Sequence, residues 1–210
     1  HGRLRVDGLQ LVDSAGTIDP VKAAAILRDR YGMNGAPIGL GNPMAINQMI
    51  AHHGVIMRPA DRRIWVSAWP YQMGAFVCYD LRDVFARCAM DSISGPINDP
   101  SRTIAADPYL STPAFAEQQW WQEQRTRIAL AGMTGKTIAF TPAEEARFLA
   151  AAPDSYITRI ALGDLHRLRG GMAEAADHYR AALALPLPSL QERTRLEERL
   201  RECDQTTTAP

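Results

Sequence analysis

No apolar run in this 210-residue chain approaches the roughly 18 residues that a membrane-crossing helix needs, so no membrane span is expected. Charge of neither sign is in excess. The 23 Lys and Arg balance 23 Asp and Glu with no basic run, and no nucleic-acid partner is expected. Cysteine is scarce: Cys78, Cys88 and Cys203 are odd in number, far apart and without C-x-x-C spacing. That pattern argues against a disulfide framework and favours reduced thiols. The five histidines, His1, His52, His53, His166 and His178, show neither H-E-x-x-H spacing nor a companion cysteine, so no metal site is expected. Two glycine-bearing stretches fall short of nucleotide motifs. "GMTGKTIAF" carries Gly135, Lys136 and Thr137, but Leu130 stands where a phosphate loop requires its first glycine. "GLGNPMA" lacks a preceding strand and the third glycine of a dinucleotide fingerprint. No cofactor is expected.

What is present reads as an α+β protein. In "TIDPVKAAAILRDRYG", Asp19 can cap a helix, Pro20 suits its first position, and Gly32 can serve as its left-handed exit. Ala23, Ile26, Leu27, Arg30 and Tyr31 then share one face. A glycine-rich loop, "GMNGAPIGLGNP", follows. From Ala51 the apolar period changes to two, and "AHHGVIM", "RIWVSA" and "GAFVCYDL" read as strands. Adjacent strand residues point to opposite faces, so His52 and His53 cannot grip one metal together. Residues 93–112 read as a long loop rich in Pro, Asp and Ser. A helix over "TPAFAEQQWWQEQRTRIALAG" is bounded by Thr112 and Gly132.

The last third reads as helices alone. Thr141 with Glu144, and Ser189 with Glu192, have capping-box spacing. Helices are expected in "SYITRIALGDLHRLRGG", "MAEAADHYRAALAL" and "SLQERTRLEERLREC", the last with a Leu196, Leu200, Cys203 stripe. The pair over about 156–188 resembles a tetratricopeptide repeat, with Leu162, Gly163, Gly170, Met172, Ala175, Tyr179 and Ala182 at its large and small positions. Small residues there let two helices approach while Tyr179 fills the gap. The expected divisions are a core over 1–93, a loop and covering helix over 94–140, a helical extension over 141–203, and a disordered tail over 204–210. Cys78, in the apolar run "AFVCYD", reads as a buried small hydrophobe, and no serine is marked as a nucleophile.

The run "AINQMIAHHGVIMRPADRRIWVSAWPYQMGAFVCYDL", with "GTIDPVKAAAILRDRYG" before it and "IAADPYL" after it, resembles the carboxy-terminal part of a known enzyme family. These are the self-processing cysteine acyltransferases and amide hydrolases related to the acyltransferase that exchanges penicillin side chains. The resemblance spans roughly residues 15–115. It implies an αββα sandwich, here represented in part, followed by the helical repeat-like extension. It also implies a cysteine nucleophile exposed by cutting a precursor, with its own α-amino group as base and a small amide or acyl compound as substrate. Oxyanion donors of that kind contribute about 2.7–4 kcal/mol each in comparable enzymes.

This chain does not begin with cysteine, and no catalytic residue of the family falls on a numbered position here. The nucleophile is expected on a partner, the amino-terminal chain of the same precursor. His1 would follow from a removed leader or a proteolytic cut. Within the family reading, Asn47, Gln48 and one of His52 or His53 could line the cleft, and Trp65, Trp69 and Tyr71 an acyl pocket; core packing explains the aromatics equally well. The alternative function is a helical-repeat protein-interaction module without catalytic activity. A homo-oligomer joined through the helix at 113–131 stays open as well, as does the compartment, cytoplasmic or periplasmic.

Overall fold

Asp19 starts the first helix, α1 (Pro20–Leu27): its Oδ1 accepts from the Lys22 amide at 2.8 Å, and Pro20 follows directly. The helix stops well before Gly32. Asp29 draws the chain away, because its Oδ1 accepts from the Tyr31 amide at 3.0 Å and its carbonyl from the Asn47 amide at 2.8 Å. Such side-chain bonds compete with a further helical turn. Arg30 and Tyr31 therefore leave the expected helical face, and Ala24 rather than Ala23 is buried.

The computed structural model describes residues 5–6, 9–10, 18–39, 41–89 and 95–208. It is α+β and 55% helical, with seven α-helices and a four-stranded antiparallel sheet among those residues. Two compact units divide the chain: His1–Pro37 with Pro43–Ser111, and Ile38–Asn42 with Thr112–Pro210.

In the first unit, β1 (Arg5–Val6) and β2 (Leu9–Gln10) pair antiparallel. The main sheet runs β3 (Val55–Arg58), β4 (Arg63–Ser67), β5 (Phe76–Asp80) and β6 (Asp99–Ile104), in that order. Three of these strands follow the expected period, with one correction. β3 begins only at Val55, so His52 and His53 sit in the loop before it and are both exposed, not alternating across a strand. Their strand-like placement fails because pairing starts at Gly54, whose amide donates to Ser67 Oγ at 2.7 Å and whose carbonyl accepts from the Ser67 amide at 2.9 Å.

β6 lies inside the expected loop at 93–112, of which 93 and 94 fall outside the described residues. Pro100 is tolerated because β6 is an edge strand among the described residues, and its register against β5 shifts between Phe76 and Cys78. The registers place Ile56, Trp65, Phe76, Cys78 and Ile104 on one face, where Ala24 and Leu27 of α1 pack against them. A second helix, α2 (Leu81–Cys88), leaves β5 directly, capped by Asp80 Oδ1 on the Arg82 amide.

The second unit is built from α3 (Pro113–Thr134), α4 (Pro142–Ala151), α5 (Tyr156–Leu168), α6 (Met172–Leu183) and α7 (Leu190–Thr208). The helix expected to cover the sheet domain, α3, belongs to this unit. It passes through Gly132 and ends at Gly135, which takes the left-handed exit at φ 65°. The Thr141–Glu144 capping box forms in both directions. Trp121, Ile128, Phe148, Leu162 and Leu165 make one core, with Trp121 stacked on Phe148 and donating to Thr158 Oγ1 at 3.1 Å. Ala175, Tyr179, Ala182, Leu196 and Cys203 make another. The Tyr179 hydroxyl donates to Asp164 Oδ1 at 2.6 Å, and Arg199 donates to the same carboxylate, so α5, α6 and α7 share one polar tie. The expected disordered tail is corrected in part: α7 runs on to Thr208, carrying 204–208 as helix, while 209 and 210 lie outside the described residues.

Candidate functional site

Of the residues expected to line a cleft, Asn47, Trp69 and Tyr71 meet at one turn, Trp65 lies in the core, and His52 and His53 are exposed. Asn47 is fully buried, and its carboxamide is committed: Nδ2 donates to the Tyr71 carbonyl at 2.8 Å and Oδ1 accepts from the Met49 amide at 3.0 Å. That second bond holds Met49 at φ 52°. Asn47 acts as a structural clamp between the loop before β3 and the turn after β4. Gln48 is half-buried and donates to the Pro43 carbonyl at 3.0 Å. Trp65 is a core residue of the helix-covered sheet face, its indole N–H donating to the Arg102 carbonyl at 2.9 Å. His52 and His53 point to solvent. Only Trp69 and Tyr71 come together as an aromatic pair, with ring centroids 6.3 Å apart, and Trp69 is 72% exposed.

The turn that carries this pair is held from several sides. The Trp69–Pro70 bond is cis, and Tyr71 and Gln72 both have positive φ, 50° and 64°. Gly74 is required sterically, since a Cβ there would meet the Ala68 and Trp69 carbonyl oxygens. Arg28, which the sequence reading passed over, donates from Nη2 to the Gly74 and Ala105 carbonyls at 2.8 Å each, and its guanidinium lies 5.3 Å from the Phe76 ring centroid. With Asn47 on the Tyr71 carbonyl, two side chains fix the turn and leave Trp69 outside it. The signal for Arg28 was faint: a lone arginine at the end of an alanine-rich helix.

The larger feature is the other face of the main sheet. The registers line up Val55, Val66 and Val77, then Met57, Ile64 and Tyr79. None of these six joins a buried cluster among the described residues; Val55 is 42% and Met57 70% exposed. Soluble monomers rarely leave a contiguous apolar face uncovered, and such a face marks a contact. At the hairpin end it opens into a groove of about 610 Å³ lined by Met57, Pro59, Ile64, Leu81 and Phe85 together with Arg62, Arg63 and Arg82. Phe85 is 68% exposed. The period-2 apolar residues of β3 and β4 announce this face.

No nucleophile stands out among the described residues. Burial pushes the Cys78 thiol up, the reverse of activation, and Cys203 is likewise buried and raised. Among the described residues no group of three or more His, Cys, Asp or Glu could hold a metal ion, and no helix is long and apolar enough to cross a membrane. His166 and His178 stack with centroids 5.3 Å apart, and His166 Nε2 lies 3.2 Å from Glu145 Oε2. Comparison with protein-family models, with curated proteins and with solved structures returned no match.

Proposed function

We propose that the sheet unit is the carboxy-terminal part of a self-processing cysteine amide hydrolase or acyltransferase. Its second sheet and its amino-terminal cysteine are supplied by the other chain of the same precursor. One observation carries this reading: the sheet has one face packed against a helix, while the six apolar residues of the other join no buried cluster of the described residues, with Val55 and Met57 exposed and the other four half-buried. That asymmetry suits one half of a helix–sheet–sheet–helix stack, in which two sheets bury their inner faces against each other while helices cover the outer ones. The motif resemblance over residues 15–115 points to the same architecture independently.

In this reading the chain contributes scaffold and not the reacting group. The cysteine of the partner attacks the amide carbonyl, its α-amino group takes the thiol proton, and the amine leaves with that proton. Water or a second amine then takes the acyl group from sulfur. Trp69 and Tyr71 are the aromatic groups of this chain best placed to meet an apolar acyl chain, since their rings are not consumed by the core. The helical unit, with one repeat-like pair packed by Gly163 and Tyr179, serves as an appendage.

The test is intact mass under denaturing conditions on protein purified from its source, with amino-terminal sequencing of every species. The reading requires a co-purifying chain that begins with cysteine. A single folded, monodisperse 23.2 kDa species would overturn it and favour the helical unit as a binding module.

A further inference from the structure

We propose that the groove at the β3–β4 hairpin end is where the amino-terminal chain docks, and that it receives an apolar segment bearing an aspartate or glutamate whose carboxylate pairs with Arg62. This rests on the two-chain reading above and names the contact that such a partner makes.

The groove shares Met57 and Ile64 with the uncovered sheet face, so whatever covers the face reaches it. Its most exposed walls are a methionine and a phenylalanine with an arginine beside them, residue types enriched where protein interfaces bury their centres. A small ligand filling only the groove would leave Val55 and the rest of the apolar face wet.

Charge selects the occupant. Around the hairpin end the other arginines are already paired. Arg58 Nε lies 2.9 Å from Asp61 Oδ2, Arg82 Nη2 is 2.5 Å from Asp80 Oδ2, and Arg63 lies 3.7 Å from Asp61 and 3.6 Å from Asp80. Both carboxylates are thus shared between two guanidinium groups. Arg62, which lines the groove beside Arg63 and Arg82 and is held in the left-handed region at φ 53°, has no carboxylate within 4.0 Å among the described residues. Covering the groove with a neutral surface would take that cation out of water without a partner, which is costly. A second copy of this chain, related by a two-fold axis through the groove, would bring Arg62 and Arg82 near their own copies. A carboxylate set in an apolar segment meets both demands, and such a pair fixes register as well as strength.

The complete coding sequence is expressed with an affinity handle on the end of this chain, and the amino-terminal chain retained under non-denaturing conditions is quantified by mass. Arg62→Glu and Phe85→Asp are each expected to lower retention by roughly tenfold or more. Arg62→Lys is expected to keep most of it, and raised salt to weaken the unsubstituted protein. Thermal melting of each variant checks folding; Arg62→Glu removes no ion pair and should melt like the parent. Full retention by both disruptive variants would overturn the docking site while leaving the two-chain reading intact. Absence of any second chain from the unsubstituted protein would overturn both.

Discussion

Gly163→Ala tests the packing of the helical unit most sharply. A Cβ at position 163 would clash with Tyr179 Cε1 and lie 2.7 Å from Cδ1 and 3.0 Å from Cζ. Tyr179 cannot swing aside, because the ring is fully buried and its hydroxyl is held on Asp164, which Arg199 also grips. Overpacking of that kind costs about 1–3 kcal/mol. Alanine returns about 1 kcal/mol through its better helix propensity. With a buried, tethered ring the clash falls at the upper end of that range, about 2–3 kcal/mol, so the net expectation is a loss of about 1–2 kcal/mol, read as a fall in melting temperature of roughly 4–8 °C per kcal/mol for a unit of this size. Replacing Tyr179 by Leu should relieve the clash. The double variant is then no less stable than Tyr179→Leu alone, and the cycle shows coupling of about 0.5–3 kcal/mol. A Gly163→Ala protein as stable as the parent, or more so, would refute the close approach of α5 and α6.

Asn47→Ala should cost about 1–3 kcal/mol in urea unfolding, since it takes the acceptor from the buried Met49 amide and removes the bond to the Tyr71 carbonyl. Trp65→Ala should cost about 3–5 kcal/mol, as for other large core side chains, while Trp69→Ala should stay within about 0.5 kcal/mol of the parent because that ring stands in solvent. His178 supplies a pH dependence. Burial chiefly, then stacked His166 and nearby Arg159, pull its pKa below 6.5 against the opposing pull of Glu145 and Asp177. The unfolded chain therefore binds the proton first, and stability present above pH 6.5 is lost as pH falls from there towards the lowered folded value. His178→Gln should flatten the fall in melting temperature between about pH 7.5 and 5; an unchanged slope would remove His178 as its source.

The helical unit was legible in the sequence because its signals are local. Capping at Thr141, the exits at glycine and the small-residue spacing around Tyr179 each act within one or two turns. The sheet was half legible. β4 and β5 alternate cleanly, but β6 was hidden by Pro100 and polar neighbours that only an edge strand accepts. The start of β3 depends on a bond between Gly54 and Ser67 that no local pattern announces. The candidate cleft residues were the hardest to read, for a physical reason. Asn47 and Trp65 are polar or aromatic groups that could serve a ligand, yet each has its hydrogen-bonding capacity taken by a distant backbone carbonyl, at Tyr71 and Arg102. Sequence alone does not separate a spent polar group from an available one.

The two-chain account is tested most directly by oxidation of methionine. Met57 is 70% exposed on the open sheet face and Met133, at the end of α3, is 85% exposed. Material purified from its source is treated briefly with peroxide without denaturation, and each site is quantified after digestion. The account predicts that Met133 oxidises while Met57 is protected, and that Met57 becomes reactive once this chain is separated from its partner. Met57 oxidising as fast as Met133 in the native material would contradict it.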